Sequence, residues 1–396
     1  MKRRQFLLKG LAAASGVAVA ARYAPGQVAG PKRKVLIIGG GLAGLVAGYE
    51  LDMKGFDVMI LEAQTRPGGR VLTFRQFDEG LYADAGAARI PRDHDLTLKY
   101  VREFDLSLLP FYPSENKFLR LRGGRVEEVE WSGFNSATSM VMSLGKPEFW
   151  QKIKGGNDQL PRAFAAKLGS KIRYDSPVVR IEQNQREVRL VFMEKGKRQT
   201  VTGDLVISAI PFTTLAKVET TPAFSAAKID AINSLEYDSA SRVFIETKRR
   251  FWEDRNLNGF AFGEDAAEIW NSAFGQPATH GILQTYLRGG YSLDLTHQTE
   301  GERVEATIAK LAKLFPELRS NVVRGVSKCW SEDPWVRGAW SHADRGIVAV
   351  GRLRESRVFF AGEHLSNNQS WMQGALQSGR MVADEIASLP ADQAIV

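Results

Sequence analysis

A glycine-rich run near the start of the chain is the pattern that most directly indicates chemistry, and it reads Gly39-Gly40-Gly41-Leu42-Ala43-Gly44. Gly39 permits a tight turn, Gly41 lets backbone N–H groups approach a diphosphate, and Gly44 allows a helix to pack closely on a strand. Glu62 lies farther along, where a carboxylate can accept hydrogen bonds from ribose hydroxyls. The spacing predicts a dinucleotide-binding site; a glycine-rich turn without function is the alternative.

A second group of glycines and arginines follows, in the run Glu62-Ala63-Gln64-Thr65-Arg66-Pro67-Gly68-Gly69-Arg70. The pair Gly68-Gly69 adds backbone N–H groups, while Arg66 and Arg70 add guanidinium groups, which bind phosphate oxygens well. This anchor is larger than a dissociable nicotinamide cofactor needs. The run therefore favours FAD over NAD.

The elements around these runs follow the pattern of a parallel sheet. Lys34 to Ile38 is a short apolar stretch typical of a buried strand, Leu42 to Met53 has helical spacing, and Phe56 to Leu61 predicts a second strand. Together they form a βαβ unit. Another apolar strand, Val358 to Phe360, precedes a predicted helix from Met372 to Ser388 near the end of the chain. Strands from both ends of the sequence are thus candidates for one sheet.

Charge and cysteine content limit the classes of partner. The formal net charge is +8, but five positive charges lie in the first thirty residues, which contain no acid, and this leaves +3 for the rest. No later run of Lys and Arg interleaves with aromatic residues, so we expect no nucleic acid partner. Cys329 is the only cysteine, which excludes an intramolecular disulfide. We expect it to be a small buried residue of a strand.

Residues 1–30 combine a basic start, an apolar stretch from Phe6 to Ala21 and small residues suited to cleavage. The pair Arg3-Arg4 resembles a twin-arginine signal peptide, which directs folded, cofactor-loaded proteins to the twin-arginine export machinery. We therefore expect an exported protein, periplasmic or secreted. An uncleaved N-terminal anchor is the alternative.

These runs and several later ones resemble the flavin amine oxidase family, of the monoamine oxidase and L-amino-acid oxidase type. The similarity covers nearly the whole chain after residue 30, and the motifs occur in the family's order. The later motifs are Gly155-Gly156-Asn157-Asp158-Gln159-Leu160, Pro177-Val178, residues 204–211, residues 330–339, Phe360-Ala361-Gly362-Glu363 and Trp371-Met372-Gln373-Gly374-Ala375.

The resemblance implies an α/β fold, with a Rossmann-like FAD-binding domain of the GR2 type, similar to that of p-hydroxybenzoate hydroxylase. An α+β substrate domain is interleaved with it. Segments 31–92, 155–212 and 345–392 would form the FAD-binding domain, and segments 93–154 and 213–344 the substrate domain. Both domains would then be discontinuous in sequence.

The same resemblance assigns further contacts to FAD. Val178 would meet the adenine through its backbone, Glu363 the ribityl and diphosphate region, and Met372 the pyrimidine edge of the flavin. A helix that begins near Trp371 would aim its positive end at this edge, where negative charge gathers on reduction. The other contacts implied by the resemblance are Gly86, Ala87, Ala88, Arg89, Gly362 and Ala375.

On the substrate side, the resemblance to L-amino-acid oxidases assigns Arg89 to the substrate carboxylate, which a planar guanidinium can bind through two hydrogen bonds. Alternatively, Arg89 pairs with Asp84 or Asp93, or touches the flavin. Trp340 and Trp371 match the family's aromatic cage, which guides a neutral amine towards the flavin. We expect the other tryptophans in the core, namely Trp131, Trp150, Trp252, Trp270, Trp330 and Trp335.

The sequence departs from the family pattern in two places. The family usually has a lysine near flavin N5 that holds the water linked to oxygen reactivity, and Arg242 stands there. Arginine keeps the charge but cannot lose its proton, which argues against fast reoxidation by O₂. The helical insertion of L-amino-acid oxidases does not fit between His94 and Gly155, which leaves a pocket that is open or completed by a second subunit of a homodimer.

The predicted reaction is oxidation of an L-amino acid to a 2-oxo acid, ammonia and hydrogen peroxide, with FAD as cofactor and O₂ as acceptor. A primary amine or polyamine oxidase, in which Arg89 is structural, is one alternative. A FAD-binding protein or dehydrogenase with little oxidase turnover is another, because of Arg242. No metal site is predicted, since no ligand spacing links the histidines, which we expect at surface or capping positions: His94, His280, His297, His342 and His364.

We expect the FAD to be bound non-covalently. Where the family attaches its flavin, it uses a cysteine at the position of Ala339, which has no thiol. Acid denaturation of the purified protein should therefore release all of its flavin into the protein-free filtrate, measured by absorbance. Flavin that stays with the precipitated protein would contradict this prediction.

Overall fold

Five parallel strands form the central sheet in a computed structural model, which describes residues 33–139, 142–263 and 267–390. Their spatial order is Ile172–Arg173, Asp57–Leu61, Lys34–Ile38, Leu205–Ser208 and Val358–Phe360. The strand Lys34–Ile38 and the helix Leu42–Met53 have the predicted bounds. As expected, the sheet takes strands from segments that are far apart in sequence.

Alternate residues of Lys34–Ile38 contribute to two different hydrophobic clusters. Val35 and Ile37 pack with the helices Leu42–Met53 and Met372–Ser388. Residues Leu36 and Ile38 pack instead with Ile181 and Leu190 of a four-stranded sheet. Coverage of both faces explains why this strand is apolar throughout.

The remaining small sheets are built from short strands. The four-stranded sheet has the spatial order Lys197–Gly203, Val188–Glu194, Val178–Gln183 and Glu219–Thr221. The three-stranded sheet has the order Ile90–Pro91, Trp150–Ile153 and Leu108–Pro110. Two pairs complete the set, Thr73–Phe74 with Ala83–Asp84 and Tyr237–Asp238 with Trp340–Ser341. The helices are Leu42–Met53, Asp95–Glu103, Trp131–Thr138, Gln159–Leu168, Phe212–Leu215, Ala226–Ser234, Gly289–Thr296, Glu300–Leu314, Leu318–Asn321, Arg345–Arg352 and Met372–Ser388.

A seven-stranded, mostly antiparallel sheet forms the other large layer. Its spatial order is Val322–Cys329, Ala240–Thr247, Gly281–Arg288, Glu268–Asn271, Leu257–Phe262, Lys117–Arg122 and Arg125–Val129. Side chains alternate between the two faces of each strand. One face packs on the helix Glu300–Leu314 through residues such as Val243, Leu283 and Ile269. The opposite face carries charged and aromatic side chains.

The parallel sheet and the mixed sheet confirm the predicted α/β fold class with a Rossmann-like unit. Cys329 is buried at the end of a strand, as expected. The domain boundaries stay predictions, and the proposed signal peptide lies outside the described residues. In the described part of the chain, no helix combines the length and the apolar character needed to cross a membrane.

The helices Leu42–Met53 and Met372–Ser388 approach each other closely at a glycine. A methyl group added at Gly379 would lie 2.1 Å from the carbonyl oxygen of Ala43. A backbone atom cannot move aside as a flexible side chain can, so any larger residue at Gly379 must push the helices apart.

We expect Gly379→Ala to lower the free energy of unfolding by about 2 kcal/mol or more, because overpacking strains both helices. Denaturant unfolding followed by circular dichroism measures the change. Gly301→Ala is the matched control, since Gly301 also lies in a helix but has open space around it, and the change should be within about 1 kcal/mol of neutral. Equal midpoints for both variants would contradict the packing argument.

Candidate active site

A cavity of about 470 Å³ begins beside the glycine loop that follows the strand Lys34–Ile38 and ends at the seven-stranded sheet. Ligands of open α/β sheets bind outside the carboxyl ends of the strands, where this loop lies. The cavity is lined by most of the residues predicted from the sequence, namely Gly39, Gly41, Leu42, Ala43, Glu62, Gly69, Arg70, Gly86, Ala87, Ala88, Arg89, Arg242, Trp340, Gly362, Glu363, Trp371, Met372 and Ala375.

Three predicted residues, Gly44, Ala63 and Val178, are not part of this lining. Gly44 has the packing role expected of it, because an added methyl group would lie 2.0 Å from the carbonyl oxygen of Gly39. Val178 begins a strand of the four-stranded sheet, and its backbone is paired there with Phe192.

The glycine end of the cavity offers backbone donors. Gly41 precedes the helix Leu42–Met53, no side chain caps this helix end, and a methyl group added at Gly41 would meet open space. The positive end of the helix and its first N–H groups are therefore available to an anion. The carboxylate of Glu62 accepts N–H groups from Gly40 at 2.5 Å and Gln64 at 2.7 Å. Burial raises the pKa of Glu62.

Glu363 holds several groups at the next part of the cavity wall. One oxygen accepts from Arg70 at 2.7 Å and from the amide of Ser341 at 3.2 Å. Its other oxygen accepts from the Ser341 hydroxyl at 3.0 Å and the Ser370 amide at 2.8 Å. Burial alone would raise the pKa of Glu363, but Arg70 and these donors outweigh it and lower the pKa. The ionised carboxylate thus orients Arg70 towards the cavity.

His364 is a buried residue that the expectation of surface or capping histidines placed wrongly. It is 1% exposed and lines the cavity, and neither ring nitrogen has a hydrogen-bond partner within the described part of the chain. Burial lowers the pKa of His364 to about 4, so the ring is neutral at pH 7. A buried polar ring without a partner is what a bound ligand would satisfy. Together with Gly41 and Arg70, it fits a cavity built for FAD.

Arg89 lies at the far end of the cavity, between two tryptophans. Its Nη1 donates to the Tyr112 hydroxyl at 2.9 Å and to Glu268 at 3.1 Å. The guanidinium carbon lies 5.4 Å from the ring centroid of Trp150 and 5.0 Å from that of Trp270. A guanidinium has five N–H donors. The three on Nε and Nη2 of Arg89 have no hydrogen-bond partner among the described residues.

Glu268 is the buried counter-charge of this region, 1% exposed. One oxygen accepts from Arg89 and from the indole N–H of Trp270 at 3.0 Å, and the other accepts from Arg288 at 3.0 Å. Burial alone would raise the pKa of Glu268, but Arg89 and Arg288 hold it below the ordinary value. One ionised carboxylate therefore joins two guanidinium groups.

Strand register places a further arginine in the same group. Arg242, Tyr286 and Glu268 are neighbours across three strands, so their side chains share one face of the sheet. The Arg242 guanidinium lies against the rings of both Trp270 and Tyr286, 4.8 Å and 4.6 Å from their centroids. It donates to a backbone carbonyl, and no carboxylate of the described residues lies within 4.0 Å of it. Arg288 lies 4.8 Å from the Tyr286 ring centroid.

Trp340 and Trp371 both line the cavity, as predicted. Trp340 donates its indole N–H to Asp238 at 2.9 Å, and the same carboxylate oxygen lies 2.6 Å from a ring nitrogen of His342. The ring of Trp371 is stacked near that of Trp150, 6.0 Å between centroids. The indole orientations are therefore set by a hydrogen bond in one case and by ring packing in the other.

The structure also decides the partners and the burial of neighbouring residues. Arg89 pairs with Glu268, and the alternative pairing with Asp84 or Asp93 is not formed. The expectation that Trp335 lies in the core was wrong, since it is 42% exposed, whereas Trp330 is buried as expected and also lines the cavity. No sequence pattern had indicated Tyr112, Asp238, Glu268, Tyr286 or Arg288. Alternation along the strand that carries Arg242 is a signal that could have drawn attention to the residues facing it, but strand pairing is not visible in one sequence.

Comparisons with known proteins identify the family of this chain. A sequence profile of the flavin containing amine oxidoreductases matches residues 42–143 and 129–387. The Bacillus subtilis protein YobN, itself only provisionally named an L-amino-acid oxidase, is 30% identical over an alignment covering 90% of this chain and 95% of YobN. An L-amino-acid oxidase of Siganus canaliculatus is 26% identical, with coverages of 89% and 85%.

Solved structures show the same fold. A putrescine oxidase bound to putrescine superposes with a TM-score of 0.78 at 17% identity, covering 91% of this chain and all of that one (100%). Cyclohexylamine oxidase from Brevibacterium oxydans gives a TM-score of 0.77 at 18% identity, with coverages of 90% and 99%. The fold is that of flavin-dependent amine oxidases. The chain belongs to the flavin containing amine oxidoreductase family, and it is an enzyme that uses a flavin to oxidise amines.

The depressed pKa of His364 makes stability depend on pH. The folded state keeps the ring neutral down to about pH 4, whereas the unfolded ring binds a proton near pH 6.5. The neutral ring's contribution to the free energy of unfolding is fully present above pH 6.5. It is lost as the pH falls towards 4, by about 1.4 kcal/mol per pH unit.

We therefore expect His364→Asn to be less sensitive to acid than the parent protein. Free energies of unfolding at pH 7 and pH 5 measure this. Between these two pH values, the parent protein should lose more free energy of unfolding than the variant. The comparison with a variant is needed because burial raises the pKa of Asp84 to about 6, which acts in the opposite direction. Parallel pH dependences would contradict the assignment.

Proposed function

We propose that the enzyme oxidises L-amino acids, and that the single observation that carries this is the guanidinium of Arg89. It lies buried in the cavity wall, and three of its N–H donors have no hydrogen-bond partner among residues 33–139, 142–263 and 267–390. A planar guanidinium binds a carboxylate through two parallel hydrogen bonds. The L-amino-acid oxidases among the relatives support a carboxylate-bearing substrate.

The charge of the cavity argues against simple amines and polyamines. Arg89, Arg242 and Arg288 all line its far end. A substrate whose only charges are positive would be repelled there, whereas the carboxylate of an amino acid is attracted. The solved putrescine oxidase structure is similar in fold, but a fold does not determine the substrate.

The predicted site residues would divide the work. Arg89 holds the carboxylate, while the indoles of Trp340 and Trp371 exclude water and orient the amine. When bound, FAD would accept the hydride from the α-carbon, and the two electrons would pass with two protons to O₂ as hydrogen peroxide. The resulting imine hydrolyses to a 2-oxo acid and ammonia. The helix that begins at Met372 presents its positive end to the cavity, where it would stabilise negative charge.

Arg242 supports a second candidate, a dehydrogenase that passes electrons to an acceptor other than O₂. The guanidinium is buried against two aromatic rings, and burial lowers its pKa without making it a proton donor at neutral pH. Non-covalent FAD and export by the twin-arginine route belong to the same proposal. Replacing Arg3-Arg4 with lysines and following the protein by cell fractionation tests the export step.

A substrate screen tests the proposed function. We expect turnover with at least some of the twenty L-amino acids, and little with primary amines or polyamines that lack a carboxylate. Arg89→Met should lower kcat/KM for amino acids by at least about 30-fold, because a hydrogen-bonded ionic contact with the substrate is lost. Peroxide release and reduction of an artificial electron acceptor are measured in parallel, which separates an oxidase from a dehydrogenase.

Arg249→Met is a suitable control, since Arg249 is 50% exposed and pairs with Asp254 on the surface. The proposal is wrong if simple amines are the better substrates and Arg89→Met leaves their oxidation unchanged.

A further inference from the structure

The substrate end of the cavity contains more positive charge than one carboxylate can balance. Of the described residues, only Glu268 forms ion pairs with the lining arginines at this end, with Arg89 and Arg288 but not with Arg242. The buried Asp84 near Arg242 is matched by the buried Lys152, so two positive charges remain. The carboxylate of Asp238 also lines the cavity, but it is 43% exposed and pairs with a histidine, so solvent screens it. Buried charge without a partner is costly, which indicates a ligand with more than one negative charge.

Arg288 offers the second contact for such a ligand. Only its Nη2 is used, in the bond to Glu268, and Nη1 and Nε have no hydrogen-bond partner within the described ranges. The guanidinium rests on the Tyr286 ring, which fixes its position. The residue paired with Arg288 on the next strand is Ala240, whose small side chain also lines the cavity.

The separation of Arg89 and Arg288 also suits one small molecule. The two oxygens of the single Glu268 carboxylate contact Arg89 at 3.1 Å and Arg288 at 3.0 Å. The two guanidinium groups are close enough for the single carboxylate of Glu268 to contact both from the sheet. Two carboxylates linked by a short carbon chain can therefore contact both guanidinium groups from the cavity.

We propose that the preferred substrate is a dicarboxylic L-amino acid of the size of aspartate or glutamate. Its α-carboxylate binds Arg89 and its side-chain carboxylate binds Arg288. Arg242 supplies the third positive charge, so that three guanidinium groups face three carboxylates, two from the substrate and one from Glu268. This inference rests on the proposed oxidation of L-amino acids.

A different source for the second negative charge is the cofactor, which gains negative charge on reduction. In that case Arg242 would serve the flavin, and the side chain of the substrate would need no charge. The two cases differ in one measurable property, because only the first distinguishes an acid from its neutral amide of the same shape.

The test compares L-glutamate with L-glutamine and L-aspartate with L-asparagine, in the holoenzyme. We expect kcat/KM for at least one acid to exceed that of its amide by about 30-fold or more, as for a buried charge pair. Glutarate, which cannot be oxidised, should also perturb the flavin spectrum at lower concentration than valerate, which has one carboxylate. This second measurement needs no turnover.

Variants of Arg288 test whether this residue is responsible for the preference for the acid over its amide. Arg288→Gln should lower kcat/KM by about 30-fold more for the acid than for the amide, while Arg288→Lys should recover part of the acid activity. Arg319→Gln, on an exposed arginine paired with Glu305, should change neither. Flavin content and thermal unfolding show whether each variant is folded.

The possible results distinguish failure of this inference from failure of the proposed oxidation of L-amino acids. Equal turnover of acid and amide, with amino acids still oxidised, overturns the inference and leaves the proposed function intact. Equal losses of kcat/KM for acid and amide in Arg288→Gln also overturn the inference, since Arg288 would then not recognise the side-chain carboxylate of the substrate. Oxidation of simple amines without any amino acid activity overturns the proposed function itself.

Discussion

The buried carboxylate of Glu268 is the interaction on which the substrate end of this protein depends. It brings Arg89 and Arg288 together and is held in place by the indole of Trp270. Without this negative charge, the guanidinium groups of the cavity wall would repel one another in a region of low dielectric. With it, they are fixed on aromatic rings and keep donors directed at the cavity.

The cofactor end of the cavity depends instead on glycines, which have no side chains. Gly86 passes so close to Arg70 that an added methyl group would lie 2.0 Å from the Arg70 carbonyl oxygen. At Gly41 the same substitution would project into open space beside the first turn of a helix. Close backbone packing and bare N–H groups thus form the proposed cofactor end, whereas ion pairs and aromatic rings form the proposed substrate end.

One cavity connects the glycine loop with the charged face of the seven-stranded sheet. In the proposed reaction, the parallel sheet would supply donors for the cofactor and the seven-stranded sheet would supply charges for the substrate. Glu363, which holds Arg70, and Trp340, which faces the substrate end, are brought together where short strands and loops of the two layers meet. Relative placement of the layers therefore sets how the substrate carbon can approach the flavin.

Local patterns in the sequence determined the elements that depend on nearby residues. The strand Lys34–Ile38, the helix Leu42–Met53 and the helix Met372–Ser388 were predictable with their bounds, because burial periodicity and glycine spacing are local properties. Most cavity-lining residues were also predictable, since their motifs resemble those of a known family. Only the tertiary structure decided the partner of Arg89 and the burial of His364. Arg89 and Glu268 are 179 residues apart, and Arg89 lies outside the sheet that carries Glu268. Their pairing therefore follows from the packing of separate elements and not from any local pattern.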